Sequence, residues 1–300
     1  MVWRVALVLG LVWVSNASAE LLPQHRLHYQ SLTLLRVNPQ GLEQRFQLGY
    51  RYRLYDREEA LFRTAYVGAS VQPIVTPAFA RLGVQAELEP LAILQLKVRW
   101  DWLQYFGVLN HLQSFSDTDG RYSDEALKET RDSAQTAGGW LLTLGATLQG
   151  KVGPVVFRSQ FNAVRHELEV QEGHATWYDP SADLLAPVQG WTLTNDADLL
   201  LMLLDEQLIV GVRHNWMESL LPDAARGASS DEHTRTQRIG PLLAWRFFDE
   251  PGTAWNRPTV LLLLQWYLEH PHRTGQFSSQ ALPYVVLGFA FSGDLLSTQE

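Results

Sequence analysis

The 300-residue chain carries 32 carboxylates against 24 Lys and Arg, a formal net charge of −8, no cysteine, and 46% apolar residues. That balance argues against non-specific nucleic-acid binding, which needs a basic surface, and without cysteine there is no disulfide, thiolate metal site or cysteine-linked lipid. Eleven Trp, and only three Lys among the 24 basic residues, are unusual for an ordinary globular chain of this length.

In chain order, the first segment reads as an export signal. Arg4 supplies the positive start, Val5 to Val14 form an apolar stretch, and Ala17-Ser18-Ala19 make an A-x-A cleavage site. Residues 1–19 are therefore expected to be a signal peptide, with a mature chain of net charge −9 beginning at Glu20 once Arg4 is lost. The apolar run is too short to cross a bilayer as a helix. Further on, Leu199–Leu204 and Val260–Leu264 are short apolar runs bounded by charged or polar residues, so a helical membrane protein is excluded.

Residues 20–300 are expected to form one all-β domain of twelve strands, near 26–37, 42–55, 60–71, 77–89, 92–104, 140–151, 154–168, 191–204, 207–217, 235–248, 257–270 and 282–292. The evidence is alternation, because a strand sends successive side chains to opposite faces. Leu42, Phe46, Leu48, Tyr50 and Tyr52 interleave with Glu43, Arg45, Gln47, Gly49, Arg51 and Arg53. Leu94, Leu96, Val98, Trp100 and Trp102 likewise oppose Gln95, Lys97, Arg99 and Asp101. The facing of the third strand is ambiguous in the sequence.

Three further regularities agree. The connections 105–139, 169–190 and 218–234 are long, and the turns between them, near Glu89-Pro90, Val152-Gly153 and Asp205-Glu206, are tight. Across a two-residue turn at Asp205-Glu206, the apolar faces of the flanking strands keep the parity that a hairpin demands. Finally, Trp102, Trp140, Trp191, Trp216 and Trp266 all fall on the apolar parity near one end of their strands, with Trp245 and Phe247 at the other.

Together these patterns resemble the bacterial outer-membrane β-barrels: closed, up-and-down antiparallel cylinders with an apolar exterior and aromatic girdles. The last strand, with Tyr284 through Phe291, is similar to the terminal strand that the barrel assembly machinery recognises, although a tail from Gly293 follows it. The resemblance implies the outer membrane of a Gram-negative envelope. Implied partners are membrane lipid, lipopolysaccharide, the assembly machinery and periplasmic chaperones, with neither cofactor nor nucleic acid.

On parity the inward face carries Arg45, Arg51, Arg53, Arg81, Lys97, Arg99, Arg158, Arg213, Arg238 and Arg246, with the acids Glu43, Glu87, Asp101, Asp196, Asp198 and Glu269. Two readings are open. Arg–carboxylate pairs can simply fill a lumen, or a basic excess can favour anions in a pore. The expectation is a porin-like passive channel for small hydrophilic solutes with a mild anion preference, in which Arg99 and Arg158 contribute to selectivity. The alternatives are an enzyme acting on lipid or lipopolysaccharide, or a non-conducting structural barrel.

The catalytic candidate is His214, diagonal to Asn195 on the lipid-facing parity, a layout that resembles the outer-membrane phospholipases. Ser159 reads as lying deeper and Ser219 past the strand end. His270 and His272, with Glu269, flank Pro271 and lack a third histidine, and His25 and His28 are equally isolated, so no metal site is expected. Asp117-Thr118-Asp119-Gly120 is similar to the start of a calcium loop but lacks the closing glutamate. The acidic loop 105–139 reads either as a mobile surface segment or as one folded into the lumen.

Overall fold

A backbone placed in hydrocarbon must satisfy every N–H and C=O within the protein, and strands achieve this only by closing on themselves. The computed structural model describes residues 23–109, 111–222, 225, 234–250, 253–274 and 282–296, so the expected leader and its cleavage site lie outside the described residues. Its strands are β1 (His25–Val37), β2 (Gly41–Arg53), β3 (Tyr66–Val75), β4 (Phe79–Leu91), β5 (Leu94–Phe106), β6 (Ser114–Phe115), β7 (Thr136–Val152) and β8 (Val155–Leu168). They continue with β9 (Thr176–Asp179), β10 (Leu184–Pro187), β11 (Gln189–Leu203), β12 (Leu208–Leu220), β13 (Arg235–Arg246), β14 (Asn256–Glu269) and β15 (Tyr284–Asp294). One short helix, α1 (Asp124–Glu129), lies between β6 and β7.

Twelve of these strands form a closed antiparallel barrel in sequence order, with β6, β9 and β10 left out of the wall. Closure is made by β1, which pairs with β2 on one side and β15 on the other. A buried ion pair, Arg26 Nε to Asp294 Oδ1 at 2.5 Å, ties that seam at the end where both strands meet the periplasm. The final strand thus reaches two residues beyond the sequence expectation, into what reads as a tail.

Turn chemistry explains the other boundary differences. The β7–β8 hairpin turns on Gly153-Pro154, with Val152 opposite Val155 and Gly153 at φ +56°. At the β11–β12 turn, Asp205 and Glu206 both take positive φ, and Leu203 pairs with Leu208. The third strand differs most from expectation: it starts at Tyr66, not near 60. Leu61 and Phe62 look like strand residues but belong to a turn in which Phe62 N–H donates to Glu59 O. The strand then runs past Pro73, because the β2–β3 ladder skips between Ile74 and Val71. Pro90 and Pro241 also sit at interruptions of a ladder, where a missing N–H costs nothing.

The outer face is apolar along its length. Leu144, Leu199, Val212, Leu243 and Leu287 are each at least two-fifths exposed. Trp102, Trp140, Trp191, Trp216 and Trp266 all point outward within about four residues of the extracellular strand ends. Trp140 stacks on Trp100 with ring centroids 4.3 Å apart. At the other end Tyr29 stacks on Phe46, and Phe248 and Phe291 meet Trp255 edge-on. Two aromatic belts flank an aliphatic band, as a bilayer requires.

Inside, the barrel is uneven. Leu200, Met202, Ile209, Leu242, Leu261 and Leu263 face inward and pack with Leu32, Leu34 and Val156 into a buried apolar cluster. The apolar runs at 199–204 and 260–264 are strands buried on both faces, one in lipid and one in this cluster. Lipid-facing burial predicts that Leu144→Arg, near the middle of β7, destabilises the folded barrel by about 2–4 kcal/mol. Urea titration of protein refolded into lipid vesicles measures it.

Candidate lumen site and its cap

The inward cations lie flat because glycines stand opposite them. Gly41 pairs with Arg36, Gly68 with Arg51, Gly145 with Lys97 and Gly240 with Arg213. A Cβ at Gly68 would sit 3.0 Å from Arg51 Cγ, and one at Gly83 would sit 2.7 Å from Arg99 Nε. At Gly145 it would overlap the Lys97 stem outright. Gly41, Gly68, Gly83 and Gly145 are floors along which Arg36, Arg51, Arg99 and Lys97 run, whereas at Gly240 the close neighbour is the backbone of Leu264 and Gln265.

Most of these cations are neutralised by contact. Arg45 and Arg36 both pair with Glu43, Arg51 with Glu87 at 3.0 Å, and Arg99 with Asp101 at 2.5 Å. Asp198 is shared by Arg158 at 3.0 Å and Arg213 at 2.7 Å. Arg53 pairs with Asp56, and Arg246 with Asp249, at the periplasmic end. Arg99 and Arg158 therefore act first as partners of buried acids. Among the described residues Arg81, Lys97 and Arg238 have no carboxylate within 4 Å. Arg81 lies over the Phe79 ring, and Arg238 bonds Asn215 Oδ1 at 2.8 Å while lying 4.2 Å from the Tyr284 centroid.

These groups surround a cavity of about 300 Å³. Its wall includes Lys97, Arg99, Arg238 and Asp196, and amides are as prominent as charges: Gln30, Gln47, Gln72, Gln85, Gln95, Gln160 and Asn162 all reach it. The amides were visible on the inward parity. What marks them as a site is their convergence from six staves, which no single strand displays.

The outer mouth is covered from within. β6, β9 and β10 form a small sheet, in the order β10-β9-β6, contributed by the two long loops after β5 and β8. Trp177 is fully buried; its Nε1–H donates to Pro187 O at 3.2 Å and its ring meets Tyr105 and His166 of the inner wall. The acidic loop 105–139 is thus folded into the lumen. Ser219 Oγ–H donates to Leu185 O at 2.6 Å, and Ser181 of this cap reaches the cavity beneath.

Asp183 latches the cap. Its carboxylate accepts from Arg273 Nε at 2.5 Å, Tyr267 OH at 2.9 Å and Tyr178 OH at 2.9 Å, and lies 3.2 Å from His270 Nε2. Arg273 also reaches Asp124, the first residue of α1, at 2.9 Å. Burial alone would raise the Asp183 carboxyl, but His270 and Arg273 hold it well below the usual carboxylate range. Neither Asp183 nor Arg273 stands in any periodic pattern, so strand parity does not find them.

The remaining candidates fall as follows. His270 Nδ1 accepts from the His272 backbone N–H while its Nε2 faces Asp183, so the His270 imidazole is committed to the latch. Asp117 Oδ1 accepts the Asp119 amide at 2.9 Å, capping its own turn. His214 lies opposite Ala197 and Asn195 opposite Trp216, on the lipid face. Ser159 is not deeper, as the sequence suggested: the ladders put it opposite Ala197, on the His214 row, and Asn195 Nδ2 donates to its Oγ at 2.9 Å. The bulk of Ala197's strand still separates Ser159 from His214, whose ring makes no hydrogen bond among the described residues. There is no nucleophile–base contact.

A closed cylinder with an aliphatic band, two aromatic belts and a charged interior defines an outer-membrane β-barrel protein of a bacterial envelope, porin-like in architecture. No family model and no curated protein matches the chain. Among solved structures it is similar to the KdgM porin, at 7% identity and TM-score 0.41 over 89% of this chain and 98% of that one. It is also similar to OccAB1 of Acinetobacter baumannii, at 11% and 0.42 over 87% and 60%. OmpF of Salmonella typhi in complex with daunomycin matches at 9% and 0.37 over 89% and 97%. These likenesses concern the barrel fold alone.

The latch has a pH sign. A carboxyl depressed in the folded state stabilises above its unfolded value and loses that contribution as pH falls through the folded one. The cap is therefore expected to stay closed from neutrality down to about pH 4 and to loosen only below. Asp183→Asn leaves Arg273 half-paired and weakens the cap at neutral pH by about 3–5 kcal/mol. Hydrogen exchange at the Tyr178 and Val188 amides, both bonded within the cap, measures the loss.

Proposed function

We propose that this protein is a narrow, capped channel for small hydrophilic solutes with a mild preference for anions. The observation that carries this reading is the charge balance at the cavity wall. Lys97 and Arg238 on that wall, like Arg81 elsewhere on the inward face, meet no carboxylate within contact among the described residues, while Glu87, Asp101 and Asp198 are each taken up by another arginine. In a narrow lumen with low-dielectric walls, such uncompensated cations raise the local anion concentration. The floor at Gly145 keeps the stem of Lys97 against the wall and leaves the space beside it to solute. The cap then narrows the entrance and limits how much passes.

The cap together with the apolar cluster on β11 to β15 favours a second reading, a barrel that does not conduct. Single-channel recording in planar bilayers under a KCl gradient separates the two. Conduction with a reversal potential on the chloride side is expected, moved toward zero by Lys97→Gln combined with Arg81→Gln. The Asp183→Asn protein is expected to conduct more than the parent. If the parent and the Asp183→Asn protein are both folded and both silent, the channel reading fails.

A further inference from the structure

Glu87 stands directly opposite Lys97 in the β4–β5 ladder, and that pairing would ordinarily give a cross-strand ion pair. It does not here. The Glu87 carboxylate accepts from Arg51 at 3.0 Å, from Tyr66 OH at 2.8 Å and from the Gln85 amide, so its lone pairs are committed elsewhere. Lys97 instead crosses the floor at Gly145 and ends beside Asn162, on the far side of that glycine.

Two neighbouring acceptors are also unused. Gln160 Oε1 and Asn162 Oδ1 are buried and have no hydrogen-bond partner among the described residues. The orientation of the Asn162 amide is set by its Nδ2–H, which donates to Thr194 Oγ1 at 3.2 Å. Gln160 is 7% exposed, and both amides line the same cavity as Lys97. One cation and two acceptors thus converge on one patch of β5, β7 and β8.

A simple inorganic anion could answer Lys97 but not the two acceptors, which need donors. A neutral sugar could answer the acceptors but leaves the ammonium without a counter-charge. We infer that this patch is a binding station for a small organic oxyanion that also carries hydroxyl groups, a hydroxy or sugar acid. Its carboxylate meets Lys97 Nζ, and its hydroxyls donate to Gln160 Oε1 and Asn162 Oδ1. The cavity of about 300 Å³ admits one such molecule. The inference rests on the channel reading only for how the solute arrives.

Isothermal titration of the full barrel in detergent micelles tests it, with sodium gluconate as probe and glucose, acetate and chloride as controls. Saturable gluconate binding near the millimolar range is expected, with each control weaker by about tenfold or more. Lys97→Met is expected to abolish it. Asn162→Asp, which puts a carboxylate beside Lys97 and exchanges the donor to Thr194 for an acceptor that the Thr194 hydroxyl can serve, is expected to do the same while the barrel still shows heat-dependent gel migration. Gln160→Leu is expected to bring gluconate down to the acetate level. Absence of saturation by the parent protein, or binding unchanged in both Lys97→Met and Asn162→Asp, overturns the station. A barrel that conducts KCl but ignores gluconate sinks this inference alone. One that binds gluconate yet stays silent sinks the channel and keeps the station.

Discussion

Hydrocarbon offers a backbone amide no hydrogen-bond partner, and everything else in this molecule follows from that constraint. It forces twelve strands into a closed ladder and makes β1 pair at both edges. It also decides where proline stands, since Pro73, Pro90 and Pro241 each occupy a position where one ladder is interrupted. The seam adds a side-chain bond of its own, Arg26 to Asp294, because a barrel is only as closed as its first and last strands.

Closure creates a second problem, the interior. This protein solves it differently on its two sides. On β11 to β15 part of the inner face packs leucines into an apolar cluster, while Asp196, Arg213, Asn215 and Arg238 of the same strands reach the cavity. On β2 to β8 the inner face carries long polar side chains, and cross-strand glycines give them somewhere to lie. A glycine opposite an arginine is a spatial device here rather than a turn element. It lets a charge-dense wall coexist with open volume, which is the feature that the channel reading needs.

The outer mouth is governed by packing of another kind. Two long loops, structureless by any periodic measure, acquire a small sheet because Trp177 and Leu185 find buried sites against the inner wall and one another. Asp183 then joins elements from β14, α1 and the cap through one carboxylate.

Much of this was legible along the chain. Alternation over 42–53 and 94–106 specifies which residues face lipid and which face the lumen, because the side-chain period of a strand is two and admits no drift. Trp102, Trp140, Trp191, Trp216 and Trp266 declare one membrane interface by their place near strand ends. Local periodicity, however, says nothing about which lumen charges meet. Glu87 sits opposite Lys97 in register yet is held by Arg51 and Tyr66 from two other staves, a choice made by side-chain reach across the cylinder. Nor could it show that Ser159 shares a row with His214, that residues 199–204 are buried on both faces, or that Asp183 holds the mouth. The sequence by itself determined the strand pattern, the compartment and, outside the third strand, which residues face lipid and which the lumen, all of which depend on neighbours one or two positions away. Tertiary structure alone decided the pairing of charges, the filling of half the lumen and the closing of its mouth, because those contacts join residues far apart in the chain once curvature brings the staves together.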